Sequence, residues 1–102
     1  MNLNSYQKEA FKTAKKNAQN LNYMVLGLTS EAGEVAGKLK KHIRDNVFDK
    51  KAFLAEVGDV LWYIAGICSV CDVDLEDVAK ENINKLIDRQ NRNMISGSGD
   101  NR

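Results

Sequence analysis

The sequence predicts an all-α protein, and three observations carry that prediction. The 102 residues include no proline, the residue that most strongly interrupts helices. Apolar residues recur at steps of three and four along most of the chain, which is the period of an amphipathic helix. No useful length of the chain alternates apolar and polar residues as a half-buried strand does. A chain of this length is expected to form one domain.

The first two predicted helices are amphipathic. The first runs over about Leu3–Asn20, with lysines and glutamate opposite an apolar face. The second runs over about Asn22–Arg44, and residues 45–49 form a short connection. The apolar positions that define these two faces are Leu3, Tyr6, Ala10, Phe11, Ala14, Ala18 and Leu21, then Leu26, Leu28, Val35, Leu39 and Ile43.

The third predicted helix, Lys50–Cys71 with Asp49 as its N-cap, is apolar around most of its circumference. Such a helix is typically covered on nearly all sides. Three neighbours in a small monomer can hardly enclose it, so we expect a second subunit to pack against it. The fourth helix is expected over about Leu75–Met94, where Asp74 and Asp77 approximate a capping box.

Residues 1–95 are expected to form the single helical domain. The glycine- and serine-rich residues 96–102 are expected to form a flexible tail. Two interpretations of the tail stay open: a disordered chain end, or a lid whose glycines and Arg102 close on phosphates.

Charge and patterning exclude several classes of protein. Fifteen basic and fourteen acidic side chains give a net charge of +1, which argues against nucleic-acid binders and polybasic membrane-surface proteins. The longest apolar stretch, residues 60–73, is interrupted by Asp72 and is too short to span a bilayer. The N-terminus lacks the pattern of a signal peptide, and two cysteines are too few for a disulfide framework. We therefore expect a cytoplasmic protein without nucleic-acid or membrane partners.

Two pairs of carboxylates share the same spacing. Glu31 and Glu34 lie in the second predicted helix, and Glu56 and Asp59 lie in the apolar third. A spacing of three puts both members of a pair on one helix face. Charged groups are rarely buried unless they are paired or bound to metal, and no Lys or Arg lies between residues 51 and 80. A glycine precedes the second acid of each pair, and tight packing of the two helices would bring the pairs together.

Four converging carboxylates would form an all-oxygen site that suits a hard divalent cation such as Mg²⁺. Such a site suggests hydrolysis of a phosphate ester or anhydride by metal-bound water. The spacing alone is weak support, because Asp74 and Asp77 repeat it and are explained by the helix dipole. A solvated helix face is therefore the alternative interpretation of each pair.

The stretch EAGEVAGKLKKHIRD, followed by AEVGDVLWYIAGICSVCDVDLEDVAKENINKLIDR, resembles the MazG-type nucleotide pyrophosphohydrolases over about residues 20–92. That family carries an ExxE motif and then an ExxD motif. Here they are Glu31–x–x–Glu34 and, after twenty-one intervening residues, Glu56–x–x–Asp59. The resemblance extends to the acidic turn before the last helix and to Asn82–x–x–Lys85. The chain departs from the family pattern at Ser30, where a glutamate is frequent, and in lacking the usual Tyr-Pro near its end.

The resemblance implies a four-helix MazG-like bundle that assembles into a homodimer or homotetramer. It implies Mg²⁺, with Mn²⁺ as an alternative, and the conversion of an NTP or dNTP to the monophosphate and pyrophosphate by metal-activated water. The implied catalytic and metal-binding residues are Glu31, Glu34, Glu56 and Asp59. The implied substrate-binding residues are Lys38, Tyr63, Asn82, Lys85 and Arg89.

Alternatives to this interpretation remain. The chain could have a related phosphoribosyl-ATP pyrophosphohydrolase activity, or it could be a non-catalytic helical oligomerisation module. Cys68 and Cys71 lack further ligands for zinc, and we expect both thiols to be packing residues. His42 is expected to be a surface or phosphate-proximal residue, not a catalytic base. Trp62 is expected in the core, with a base-stacking role as the alternative.

Overall fold

In the computed structural model, which describes residues 1–93 and 96–100, the chain folds into four α-helices. They are α1 (Leu3–Lys12), α2 (Leu21–Asp45), α3 (Lys50–Val70) and α4 (Leu75–Asn91), and a short 3₁₀ helix (Lys16–Ala18) precedes α2. Residues 1–93 and 96–100 contain no strand. The all-α prediction is therefore confirmed.

The first helix is shorter than its periodicity predicts, because it ends at Lys12 and not at Asn20. The Thr13 hydroxyl donates to the carbonyl of Ala10 at 2.6 Å, and the chain then leaves the helix. Asn20 is instead the N-cap of α2, where its side chain accepts the Tyr23 N–H at 2.8 Å. Ala14 and Ala18, which follow the end of α1, are buried in the core. Their spacing therefore continues the helical period although the helix itself has ended.

Helices α2 and α3 form the main packing pair, and residues 46–49 join them. Asn46, at φ 54°, ends α2 in the left-handed conformation. The Asp49 side chain accepts the Ala52 N–H at 3.0 Å, so the predicted N-cap of α3 is confirmed. These two caps fix the ends of the helices that carry the acid pairs.

Only some of the helical glycines mark close helix packing. A Cβ at Gly66 would lie 2.5 Å from the sulfur of the buried Met24, so a larger residue here would have to displace that side chain. A Cβ at Gly33, Gly37 or Gly58 would meet nothing within 4 Å. No close contact between helices therefore depends on the glycines inside the two acid pairs, within the described subunit.

The start of α4 differs from the predicted capping box. Asp74 occupies the N-cap position, but its side chain makes no capping hydrogen bond. Instead the Gln7 side-chain oxygen accepts the Leu75 N–H at 2.8 Å, and that of Asn4 accepts the Glu76 N–H at 3.3 Å. The capping-box prediction is wrong because α1 supplies the acceptors that the helix start requires.

Helix α4 ends at Asn91, and the predicted end at Met94 lies outside the described residues. Arg102, which the lid interpretation of the tail invokes, lies outside them as well. Within the described part of the tail, Asp100 forms salt bridges with Lys85 and Arg89 of α4. The tail therefore has a specific contact with the helical domain.

Apolar side chains of α3 are only partly covered by the single subunit. Leu54, Val57 and Leu61 are 51%, 41% and 37% exposed. The buried residues of α3 are Ala65, Gly66 and Cys68, all near its C-terminal end. The expected packing of α3 against a second subunit stays a prediction, and the exposed residues define the surface that it would cover.

Among the described residues, α3 alone is long and apolar enough to cross a membrane by length and composition. The apolar stretch 60–73 is by itself too short to span a bilayer, but the helix that contains most of it begins ten residues earlier, at Lys50. A core helix of a soluble protein meets the same criteria. Because α3 carries Glu56 and Asp59, which would be costly inside a bilayer, the predicted absence of a membrane partner stands as a prediction.

Candidate metal centre

Three of the four predicted acids lie together between α2 and α3. Glu31 of α2 and Glu56 and Asp59 of α3 each place a carboxylate oxygen within 4.8 Å of the other two. Glu31 and Glu56 are half-buried, whereas Asp59 is exposed. The three-residue spacing aligns the two acids of α3, and the packing of α2 against α3 brings Glu31 to them. We call these three residues the carboxylate cluster.

The cluster concentrates negative charge. Partial loss of hydration raises the pKa of the Glu31 carboxyl, and the charges of Asp59 and Glu56 raise it further. A hydrogen bond with Glu56 and the charge of Glu34 act in the same direction. Among the described residues, no cluster carboxylate belongs to a salt bridge. A bound divalent cation would supply the missing positive charge.

Glu34 stands beside the cluster and outside it. It is exposed, and it does not belong to the group of oxygens within 4.8 Å of one another. It lies one turn beyond Glu31 on α2, and its charge contributes to the raised pKa of Glu31. The structure therefore keeps Glu34 within electrostatic reach of the other three acids.

The carboxylate cluster fits a hard divalent ion. Its donors are all carboxylate oxygens, which Mg²⁺ and Mn²⁺ accept, and Mg²⁺ usually keeps several waters beside a few protein ligands. A cavity of about 290 Å³ opens beside the cluster, lined by Glu31, Asp59, Trp62 and Tyr63. Its volume leaves room for water and for part of a substrate next to a bound ion.

Two aromatic side chains complete the cavity wall. Trp62 and Tyr63 meet edge to face, with ring centroids 4.9 Å apart and planes at 83°. The Trp62 indole N–H donates to the Thr13 hydroxyl oxygen at 2.9 Å, although the two residues are 49 positions apart. Burial raises the pKa of Tyr63, and Tyr23 and the nearby acids raise it further. Trp62 both packs against the core, as predicted, and reaches the cavity.

The other predicted substrate contacts do not line this cavity. Lys38 lies on α2, two turns beyond Glu31, and Asn82 is exposed on α4. Lys85 and Arg89, also on α4, both bind the carboxylate of Asp100, at 2.7 Å and 3.1 Å respectively. Of these predicted residues, only Tyr63 shares the cavity with the cluster.

The Lys85–Arg89 pair forms a partly covered anion site. The Arg89 side chain is only 6% exposed, and it also donates to the backbone carbonyl of Asp100. These two cations lower the pKa of Asp100 below the ordinary value for aspartate. Nothing in the sequence pattern pointed to Asp100, because a lone acid in a Gly/Ser tail carries no periodic signal.

Three other residues singled out from the sequence, Cys68, Cys71 and His42, do not line the cavity beside the carboxylate cluster. Cys68 is buried and Cys71 is exposed, and neither forms a disulfide. Burial raises the pKa of the Cys68 thiol, which makes it less reactive and agrees with a packing role. His42 packs against Phe48 with ring centroids 5.1 Å apart, and its Nδ1 is buried without a hydrogen-bond partner among the described residues.

The helical fold and the carboxylate cluster together define a class: helical proteins with an all-oxygen site suited to a hard divalent cation. Comparison with known families is more specific. The family model of the MazG nucleotide pyrophosphohydrolase domain matches residues 19–94. This match covers more than half of the chain, which therefore belongs to the MazG nucleotide pyrophosphohydrolase family, and the resemblance seen in the sequence is confirmed.

A phage protein is also similar to the chain. The Gene 37 protein of Mycobacterium phage L5 is 44% identical over 89 residues, which cover 82% of this chain and 78% of that protein. No solved structure gave a significant match.

Proposed function

We propose that this protein is a Mg²⁺-dependent pyrophosphohydrolase that converts NTPs or dNTPs to the monophosphate and pyrophosphate. The observation that carries the proposal is the carboxylate cluster, whose three oxygens lie within 4.8 Å of one another beside an open cavity. Family membership supports the reaction class, because the MazG domain is described as a nucleotide pyrophosphohydrolase.

Glu31, Glu56 and Asp59 would hold the metal, with Glu34 as the fourth acid from the next turn of α2. When bound, the ion supplies charge neutralisation for the triphosphate and activation of water. The negative surroundings that raise the pKa of Glu31 would also attract a cation. Metal and proton therefore compete for the Glu31 carboxylate.

Residues of this chain would also bind the nucleotide. Tyr63 is supported by its position in the cavity wall. Lys85 and Arg89 are supported as phosphate ligands because they already bind a carboxylate, and charge-assisted contacts of this kind serve phosphate equally. Lys38 and Asn82 rest on the family resemblance alone.

The proposal includes a homodimer or homotetramer in the cytoplasm, without nucleic-acid or membrane partners. Exposed apolar side chains on three helices support the oligomer, because a subunit alone would leave them in water. The largest exposures among them are those of Leu26, Ile43, Leu54 and Ile83, at 71%, 75%, 51% and 53%.

The test is product analysis with a panel of NTPs and dNTPs, with Mg²⁺, with Mn²⁺ and without metal. We expect metal-dependent release of pyrophosphate together with the monophosphate. Glu56→Gln or Asp59→Asn should abolish the release, whereas Glu81→Gln, an exposed acid on α4, should not. Turnover by the cluster variants near the wild-type rate would refute the site.

The same panel separates the alternatives when phosphoribosyl-ATP is added to it. Cleavage of phosphoribosyl-ATP alone would favour that related activity. Absence of cleavage by folded oligomeric protein, together with tolerance of alanine at the cluster positions, would favour a non-catalytic module.

A further inference from the structure

We infer that Trp62 is the surface on which the nucleotide base stacks, and that Thr13 is the positioning residue that sets the orientation of its ring. The inference rests on the proposed function, because it assigns the nucleotide's base to one wall of the cavity beside the carboxylate cluster.

The composition of the cavity wall gives the first step. The four lining residues are two cluster carboxylates, Glu31 and Asp59, and two aromatic residues, Trp62 and Tyr63. A nucleotide whose phosphates approach the acids through a metal ion must place its base away from those charges. The aromatic side of the cavity is the complementary surface, because every base presents a π face that stacks on aromatic rings.

The packing of the two rings distinguishes between them. Trp62 and Tyr63 stand at 83° to each other, so one flat base cannot stack on both faces. The Tyr63 ring is covered by α2, where a Cβ at Gly27 would come within 2.6 Å of three of its ring atoms. Tyr23 lies on it as well, with centroids 6.4 Å apart. Trp62 is therefore the ring better placed to receive a base.

Thr13 fixes the indole and removes its only donor. The Trp62 N–H is bound to the Thr13 hydroxyl oxygen at 2.9 Å, and that hydroxyl donates to the Ala10 carbonyl at 2.6 Å. The indole therefore offers the base a face and no hydrogen bond. Stacking tolerates different bases, so Trp62 would favour larger rings over smaller ones without reading their edges.

The protein contains one tryptophan, so its fluorescence reports on Trp62 alone. The probe is an α,β-methylene nucleoside triphosphate, which resists cleavage between the α- and β-phosphorus, and inorganic triphosphate is its base-free control. With Mg²⁺ present, we expect the nucleotide analogue to quench Trp62 fluorescence and inorganic triphosphate to leave it nearly unchanged. Binding of the analogue without a change in fluorescence would overturn the inference.

Variants give the second measurement. Trp62→Ala should raise KM for purine triphosphates on the order of tenfold to a hundredfold, while Trp62→Phe should retain most of the affinity. The Ki of inorganic triphosphate should be the same in all three proteins. Phe48→Ala is the matched control, because Phe48 is a half-exposed aromatic residue outside the cavity.

Thr13→Val keeps the shape of the side chain and removes the hydrogen-bond acceptor. We expect it to raise KM with little change in kcat, and Thr13→Ser should restore the wild-type KM. If Trp62→Ala fails to fold, Trp62→Phe and the two Thr13 variants decide the question.

The outcomes separate this inference from the proposed function. Metal-dependent pyrophosphate release with KM unchanged in Trp62→Ala would refute the stacking role and leave the function standing. Quenching by the nucleotide analogue without cleavage of any nucleotide would support the stacking role and refute the function.

Discussion

Gly27 of α2 lies directly against the ring of Tyr63 on α3. A Cβ at position 27 would come 2.0 Å from Cε1 of that ring, much closer than side-chain atoms approach. Tyr63 in turn lines the cavity beside Glu31 and Asp59. The absence of a side chain at position 27 therefore sets the position of a ring in the candidate site.

Gly27→Ala is predicted to destabilise the protein, because the methyl group must displace the Tyr63 ring. Overpacking of this kind costs about 1–3 kcal/mol. Gly37→Ala is the control on the same helix, where a Cβ meets nothing within 4 Å and alanine should stabilise the helix by up to about 1 kcal/mol. Urea denaturation would measure both, and equal midpoints for the wild type and Gly27→Ala would contradict the prediction.

Gln7→Ala is predicted to lower the free energy of unfolding by about 2–4 kcal/mol, because two backbone groups lose their partners. The Gln7 amide donates to the Val73 carbonyl at 2.8 Å and accepts the Leu75 N–H at 2.8 Å. Gln90→Ala, at an exposed position near the end of α4, should change stability little. Similar denaturation midpoints for the two variants would show that the hydrogen bonds of the Gln7 side chain do not stabilise the protein.

Mg²⁺ is predicted to raise the thermal stability of the wild type, because a ligand that binds only the folded state stabilises it. Glu56→Gln and Asp59→Asn should lose this shift, and without metal both should be as stable as the wild type or more stable, because repulsion within the cluster is relieved. Calorimetry with and without Mg²⁺ measures both effects. Glu81→Gln should keep the full stabilisation by Mg²⁺. A similar stabilisation of Glu56→Gln would show that the carboxylate cluster is not the metal site.

Glu34 provides a graded test of the same site. Since it lies outside the group of oxygens within 4.8 Å, Glu34→Gln should weaken Mg²⁺ binding less than Glu31→Gln does. Isothermal titration of each variant with Mn²⁺, or with Mg²⁺, would rank them. A greater loss in Glu34→Gln would mean that the acids rearrange when the metal binds.

The starts of α2 and α3 follow closely from the sequence, because helical periodicity and local caps are properties of neighbouring residues. Asp49 illustrates this, since its N-cap bond reaches only three residues along the chain. The end of α1 and the cap of α4 could not be predicted in this way. The first was hidden by buried alanines beyond the helix, and the second depends on Gln7, which lies 68 positions away from Leu75.

The acid pairs were visible in the sequence because their spacing repeats the helical period. Which of them meet was not visible, since the convergence of Glu31 with Glu56 and Asp59 depends on how α2 rotates against α3. The hydrogen bond between Trp62 and Thr13 was likewise not visible, because it joins residues that are 49 positions apart and lie in different elements. Periodicity thus identified candidate ligands, and tertiary packing determined the composition of the cavity.

The contact between the tail and α4 is predicted to weaken in acid. Hydrogen bonds from Lys85 and then Arg89 lower the pKa of Asp100, so the folded state favours its ionised form. The stabilisation is present above the pKa of Asp100 in the unfolded chain, about 3.9, and is lost as the pH falls through the lower folded value. Protonation of Asp100 would remove the charge that both cations bind.

Asp100→Asn should therefore loosen the tail from α4 already at neutral pH. Lowering the pH below about 4 should then cause no further loosening in this variant, because it lacks the carboxylate that titrates. Chemical shifts of the Lys85 and Arg89 side chains, followed by NMR during a pH titration, report this contact directly. Ser98→Ala, two residues away in the tail, should titrate like the wild type. Wild-type shifts that do not change as the pH falls, while the helices remain folded, would show that the Asp100 carboxylate does not hold the tail against α4.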